Sequence, residues 1–189
     1  MLPLGHASLA YLCYVGVAAL TDRRLPARDA LVPLLFASQL PDLVDKPLAY
    51  VGVLRSGRSL AHSLFALAVL AVAVSLLCRE LARSVDSERL SRALAATPVP
   101  FAVGYATHLA GDAAHALLAG DYAGAGFLLY PVVPPQRAPS ASVAPWIRLR
   151  RIYLDGGADA LGPLVFVALA VFVGLRLRAY WRRRARRPR

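Results

Sequence analysis

Six stretches of 12 or more residues in this chain contain no Asp, Glu, Lys or Arg, and their lengths constrain the fold more than any other feature. Leu2–Thr21 and Ser59–Cys78 each run for 20 residues, Ala93–Gly111 for 19, Ala160–Leu175 for 16, Tyr122–Gln136 for 15 and Ala30–Pro41 for 12. A helix that crosses a bilayer needs about 20 apolar residues, with a floor near ~17. Two runs reach that length and a third nearly does. Ala160–Leu175 gains reach from Arg176 and Arg178, whose long side chains can snorkel to the interface. The mean hydropathy is +0.51, and only 17% of the 189 residues are charged. That balance excludes an ordinary soluble domain and a disordered chain.

The pattern predicts an all-α, multi-pass integral membrane bundle of about five helices, near 5–20, 27–41, 59–78, 97–118 and 160–177, four or five of them spanning. Pro26 and Ala27 open the second helix. From there it has about 14 helical residues, or ~21 Å, so it is the shortest candidate. Tyr122–Gln136 carries two glycines and three prolines and reads as an interfacial or re-entrant segment. Pro134, Pro135, Pro139 and Pro145 exclude a long helix after it. Trp146-Ile147-Arg148-Leu149-Arg150-Arg151-Ile152-Tyr153 mixes aromatics with arginines, as an interface-lying segment does. Asp155-Gly156-Gly157 reads as a turn and Asp159 as the N-cap of the last helix. Charge follows the first apolar run, at Asp22-Arg23-Arg24. That is the flank of a membrane helix and not of a cleaved signal.

Cations set the orientation. Of the 22 Lys and Arg residues, 15 fall in loop 21–29, loop 79–96 and the C-terminal residues 176–189. The positive-inside rule places that side in the cytoplasm. The chain therefore divides into a membrane domain, 1–178, and a polybasic cytoplasmic tail, 179–189, with Tyr180 and Trp181 as an interfacial anchor. Anionic lipid is the expected partner of the tail, and no nucleic acid is expected.

The four histidines, His6, His62, His108 and His115, all fall in the opposite, non-cytoplasmic half of this layout, with Asp42, Asp45 and Asp112. His108 and Asp112 are spaced i, i+4, and His115 is i+7 from His108, so the three share a helix face. Gly104 and Gly111 flank that face and allow a neighbouring helix to approach. Ionisable groups in apolar helices are costly and mark function. Imidazole with carboxylate suits Zn²⁺, Mn²⁺ or Fe²⁺. Cys13 and Cys78 read as small buried hydrophobes.

Three motifs follow His6 in order: Gln-Leu-Pro-Asp-Leu-Val-Asp at 39–45, Gly-Arg-Ser-Leu-Ala-His-Ser at 57–63 and Thr-His-Leu-Ala-Gly-Asp at 107–112. With them, roughly residues 1–135 resemble the YdjM-like family of membrane-bound proteins described as metal-dependent hydrolases. The resemblance implicates His6, Asp42, Asp45, Arg58, His62, Ser63, His108 and Asp112. Gly57 stands where the family often has His. The two aspartates are three residues apart, where two apart is commoner.

Two functional readings follow. In the first, the chain is a membrane-bound hydrolase. His6, Asp42, His62, His108 and Asp112 hold one or two divalent ions, Zn²⁺ or Mn²⁺, near the non-cytoplasmic interface. Asp45 supports the ligands or acts as general base. Arg58, one turn before His62, faces an anionic group such as the phosphate of a phosphoester or lipid-like substrate. In the second, the same cluster is a structural metal site or an ion or proton site in a non-enzymatic membrane protein. Depth separates them: the groups gather at one interface and do not continue across, which disfavours a through-path.

Overall fold

The computed structural model describes residues 1–21, 28–135, 143–156 and 161–185. Asp22, Arg23, Arg24, Pro26, Ala27, Pro139, Gly157, Asp159 and the last four residues, to which the reading above gave roles, lie outside them. The described residues form eight α-helices and no strand: α1 Pro3–Leu20, α2 Arg28–Ala37, α3 Leu40–Tyr50, α4 Leu64–Ser84, α5 Glu88–Ala96, α6 Pro98–Leu118, α7 Pro145–Arg150 and α8 Gly162–Ala185. A 3₁₀ turn, Gly126–Leu129, follows α6, and a π turn, Arg151–Asp155, continues α7.

Among the described residues, three helices are long and apolar enough to cross a membrane: Pro3–Leu20, Leu64–Ser84 and Gly162–Arg182. The second and third are almost entirely unburied within the protein. Val69, Val72, Leu76 and Leu77 of α4 and Phe166, Val167 and Leu169 of α8 all point outward, as lipid-facing residues do. The hub is α6, which packs against α1, α2, α3, α4 and α5. Ala10, Tyr14, Ala30 and Leu34 form one core cluster. Ala37, Phe101, Tyr105 and Leu109 form the other, with α4 closing over it through Leu67, Leu70 and Val74.

Gly104 permits the tightest of these contacts. A Cβ there would strike the Leu34 carbonyl oxygen and crowd Ala37, so only glycine lets α2 lie this close to α6.

The helix expected over 27–41 is replaced by two short ones. Pro41 has no N–H to offer the Ala37 carbonyl, so the ladder stops there and restarts as α3 with Pro41 in its first turn. At ten described residues α2 reaches only ~15 Å, half a hydrocarbon core. The helix expected over 59–78 instead begins at Leu64 and runs to Ser84, with the Ser63 side chain capping Ala66 N–H at 3.0 Å. Helix α5 lies in what reads as a loop, Ser87 capping its Leu90 N–H. Helix α8 continues through residue 178 without a break.

Candidate metal centre

Four elements bring the site together: the first turns of α1, the start of α3, the loop ahead of α4, and the third and fourth turns of α6. Asp45 organises the loop. Its carboxylate accepts the backbone N–H of Ser59 at 2.7 Å, of Ala61 at 2.9 Å and of His62 at 3.2 Å. These amides are spent on Asp45 and not on a helix, which is why α4 starts late. The Tyr105 hydroxyl, on α6, donates to the Ala61 carbonyl and ties the loop to the hub.

The same Asp45 oxygen that takes Ser59 N–H accepts the His62 Nδ1 proton at 2.8 Å. That turns His62 Nε2 inward. His108 is fixed in the same manner: its Nδ1 donates to the Ser38 carbonyl at 2.7 Å, an oxygen near the α2–α3 break. Its Nε2 lone pair then faces His62 Nε2 at 3.2 Å. The two carboxylates complete the ring. Asp42 Oδ1 stands 3.3 Å from His62 Nε2 and 3.8 Å from His108 Nε2. Asp112 Oδ2 stands 3.5 Å and 4.0 Å from the same two atoms. Each carboxylate is also held from outside, Asp42 Oδ2 by the Lys46 ammonium and Asp112 Oδ2 by Arg58 Nε–H at 2.8 Å.

Asp42, His62, His108 and Asp112 are all buried, and one ligand atom from each lies within 4.8 Å of the others. Donor atoms ~2.0–2.1 Å from a tetrahedral ion stand about 3.4 Å apart. The measured separations of 3.2 to 4.0 Å bracket that value. Asp42 Oδ1 is buried without a hydrogen-bond partner, an atom that an ion would satisfy. The residues present therefore fit a divalent cation.

Charge reinforces the fit. Burial works against an imidazolium at His62, but the carboxylates of Asp112, Asp42 and Asp45 around the ring outweigh it and push the group up to about 10. Burial likewise opposes an ionised Asp42, yet His62 and Lys46 hold its carboxyl well below the usual carboxylate range. The His62 Nε2 proton, donated to His108, thus occupies the place a metal would take.

The sequence profile of the YdjM inner membrane protein family matches residues 1–185. The chain belongs to the YdjM family. No curated protein and no solved structure matches it. The family match extends beyond the first 135 residues to include α7 and α8.

The YdjM-type motifs converge in space, and their other residues surround the Asp42, His62, His108 and Asp112 group. His6 lies beside it. Its ring is fully buried, stacks on His108 at 3.9 Å, and puts Nε2 3.3 Å from Asp112 Oδ1. Asp112 Oδ1 also meets the Met1 ammonium at 2.8 Å. Arg58 meets an internal anion, Asp112, and keeps a half-exposed side chain over the Phe127 ring. Asp45 sits behind His62 with both oxygens occupied. Ser63 caps α4. His115 is exposed on α6, at the rim of a cavity of about 460 Å³ that reaches Asp112.

Three contributors were not anticipated. The Ser38 carbonyl has no side-chain signature. Lys46 is i+4 from Asp42, a spacing that could have been read. Phe127 packs edge-on to His62 at 6.1 Å, and only the tertiary fold brings it there.

Proposed function

We propose that this YdjM-family protein is a membrane-bound metal-dependent hydrolase, with Asp42, His62, His108 and Asp112 as ligands to Zn²⁺ or Mn²⁺. The observation that carries the reading is the inward convergence of two imidazole Nε2 atoms and an unpartnered carboxylate oxygen. When bound, the ion supplies Lewis acidity and lowers the pKa of a water toward ~7.

The rest of the work belongs to the chain. Asp45 holds His62 in the tautomer and orientation that presents Nε2. The Ser38 carbonyl does the same for His108. Lys46 and Arg58 steady Asp42 and Asp112 from outside. Arg58 has its terminal nitrogens beyond the Asp112 contact, and these suit the oxygens of a phosphoester. His6 stacks on His108 and adjoins Asp112 Oδ1, where it positions both. Catalysis is favoured over a purely structural ion because two cavities reach the ligands, one at Asp112 and one at Asp42. The arginine distribution supports a cytoplasmic C-terminus, with the tail on anionic lipid and the site on the non-cytoplasmic side.

The test is metal content and phosphoesterase activity of the purified protein in nanodiscs, beside His62→Ala and the His62→Ala, His108→Ala pair. Near-stoichiometric metal with turnover in the wild type, both lost in the variants while membrane insertion persists, is the expected result. Turnover that survives in the double variant would refute it.

A further inference from the structure

A groove of about 780 Å³ runs between α3 and α7 and is lined at one place by Asp42. That volume is in the range of small-molecule sites. Leu43 and Pro47 of α3 and Trp146 and Leu149 of α7 supply apolar walls. Tyr50 and Trp146 meet edge to face at 5.4 Å and brace the two helices. Apolar walls alone would mean only contact with bilayer lipid. What distinguishes this groove is its charge.

Lys46, Arg58, Arg148 and the Met1 ammonium line the same groove; against Asp42 in the lining and Asp112 behind it, to which Arg58 and Met1 are bonded, they leave a surplus of two positive charges. Lys46 is bonded to Asp42 and Arg58 to Asp112, so two of the cations stand at the metal-binding end. Arg58 and Met1 also line the smaller cavity on the Asp112 side, together with His115 and Asp121. The α3–α7 groove therefore supplies the apolar walls of the site, and the Asp112 side supplies mainly polar ones.

We propose that the α3–α7 groove binds the hydrocarbon chain of a long-chain phosphate monoester and delivers its headgroup to Lys46 and Arg58 beside Asp42. A phosphate monoester carries close to two negative charges near neutral pH, which matches the surplus. A fatty carboxylate brings one, and a phosphocholine brings its own cation. The fate of the headgroup rests on the hydrolytic reading of the centre; the binding does not. Arg148 is the specificity residue that this assignment adds, since it touches none of the metal ligands.

Trp146 makes the groove measurable. The chain has two tryptophans, so Trp181→Phe leaves Trp146 as sole reporter. This protein, in phosphatidylcholine nanodiscs and stripped of metal by a chelator, is titrated with a single-chain phosphate monoester bearing a nitroxide on its chain. The same labelled chain is titrated as phosphocholine and as free fatty acid. Half-maximal quenching is expected at about a tenfold lower mole fraction for the phosphate monoester, the weight of two half-exposed charge pairs. Arg148→Glu should erase that preference. Arg150→Glu, an equal charge change on α7 outside the groove lining, should leave it intact. Equal quenching by all three headgroups overturns the proposal. Equal quenching by fatty acid and phosphate overturns the headgroup assignment. Loss of preference in both arginine variants would reduce it to general surface charge. Because no turnover is needed, a wild type that hydrolyses nothing while retaining the preference would refute the hydrolase reading and leave the groove standing.

Discussion

Replacing Asp45 by Asn keeps the shape of the side chain and removes its charge, which isolates what the carboxylate does. Asp45 accepts four hydrogen bonds: Ala61 N–H on Oδ1, and Ser59 N–H, His62 N–H and His62 Nδ1–H on Oδ2. The asparagine carbonyl can take the Oδ2 position and keep three of them. Its amide then faces the Ala61 N–H at the other position, donor against donor. A buried amide left without an acceptor costs about 1–3 kcal/mol. The remaining bond to His62 loses its charge assistance, and with it the orientation of Nε2. Loss of such a supporting group typically weakens metal affinity by about 10–100-fold, or roughly 1.4–2.7 kcal/mol. The assay is zinc affinity by chelator competition in nanodiscs, with thermal unfolding measured on the metal-free protein. Asp45→Asn should lower both. An asparagine variant with wild-type zinc affinity and unchanged unfolding temperature would refute the argument that Asp45 builds the loop and aims His62.

Other outcomes follow from the same geometry. Gly104→Ala, one turn before His108, must push α2 off α6; overpacking of this kind costs about 1–3 kcal/mol, and the moved Ser38 carbonyl should lower zinc affinity as well, read by unfolding temperature and chelator competition. Metal binding must displace the proton that His62 holds below about 10 in the metal-free state. The zinc dissociation constant should therefore rise about tenfold when pH falls from 8 to 7, and a pH-independent constant would exclude proton competition at His62. Ser63→Ala should cost about 1 kcal/mol through the lost α4 cap and leave metal stoichiometry unchanged; loss of metal would restore Ser63 to the site.

What could be read from the sequence was whatever is local. The α6 boundaries fall at Pro98–Leu118 against an expected 97–118, because a long apolar run with a proline near its start defines a helix by itself. His108 and Asp112 share a face because 3.6 residues per turn requires it. The 27–41 helix misleads for an equally physical reason. Counting charge-free residues treats Pro41 as one more apolar position, whereas its missing N–H ends α2. The late start of α4 was not legible at all. Residues 59–62 are free of Asp, Glu, Lys and Arg like the run they open, and their amides turn to Asp45, 14 to 17 positions away in sequence, only because α3 places it there. Helix α5 was hidden by its charge: Glu88, Arg89 and Arg92 look like a loop until Ser87 is read as a cap.

The His6 reading exposes a deeper limit. All the histidines of the motif set do reach one place, and proximity alone would make His6 a ligand. What differs among these side chains is which heteroatom is spent outside. His62 and His108 each give Nδ1 to an oxygen behind them, Asp45 and the Ser38 carbonyl, so each has one nitrogen committed and one aimed inward. Asp42 gives Oδ2 to Lys46 and keeps Oδ1. His6 has no such outer partner: both of its ring nitrogens are buried without a hydrogen bond, and its ring lies flat on His108. Anchoring of this kind is set by atoms from elements distant in sequence, a carbonyl at a helix break and a carboxylate behind a loop. A motif can name the residues that gather at a site, but which atom His62, His108 and Asp42 each turn inward is set by what holds it from behind.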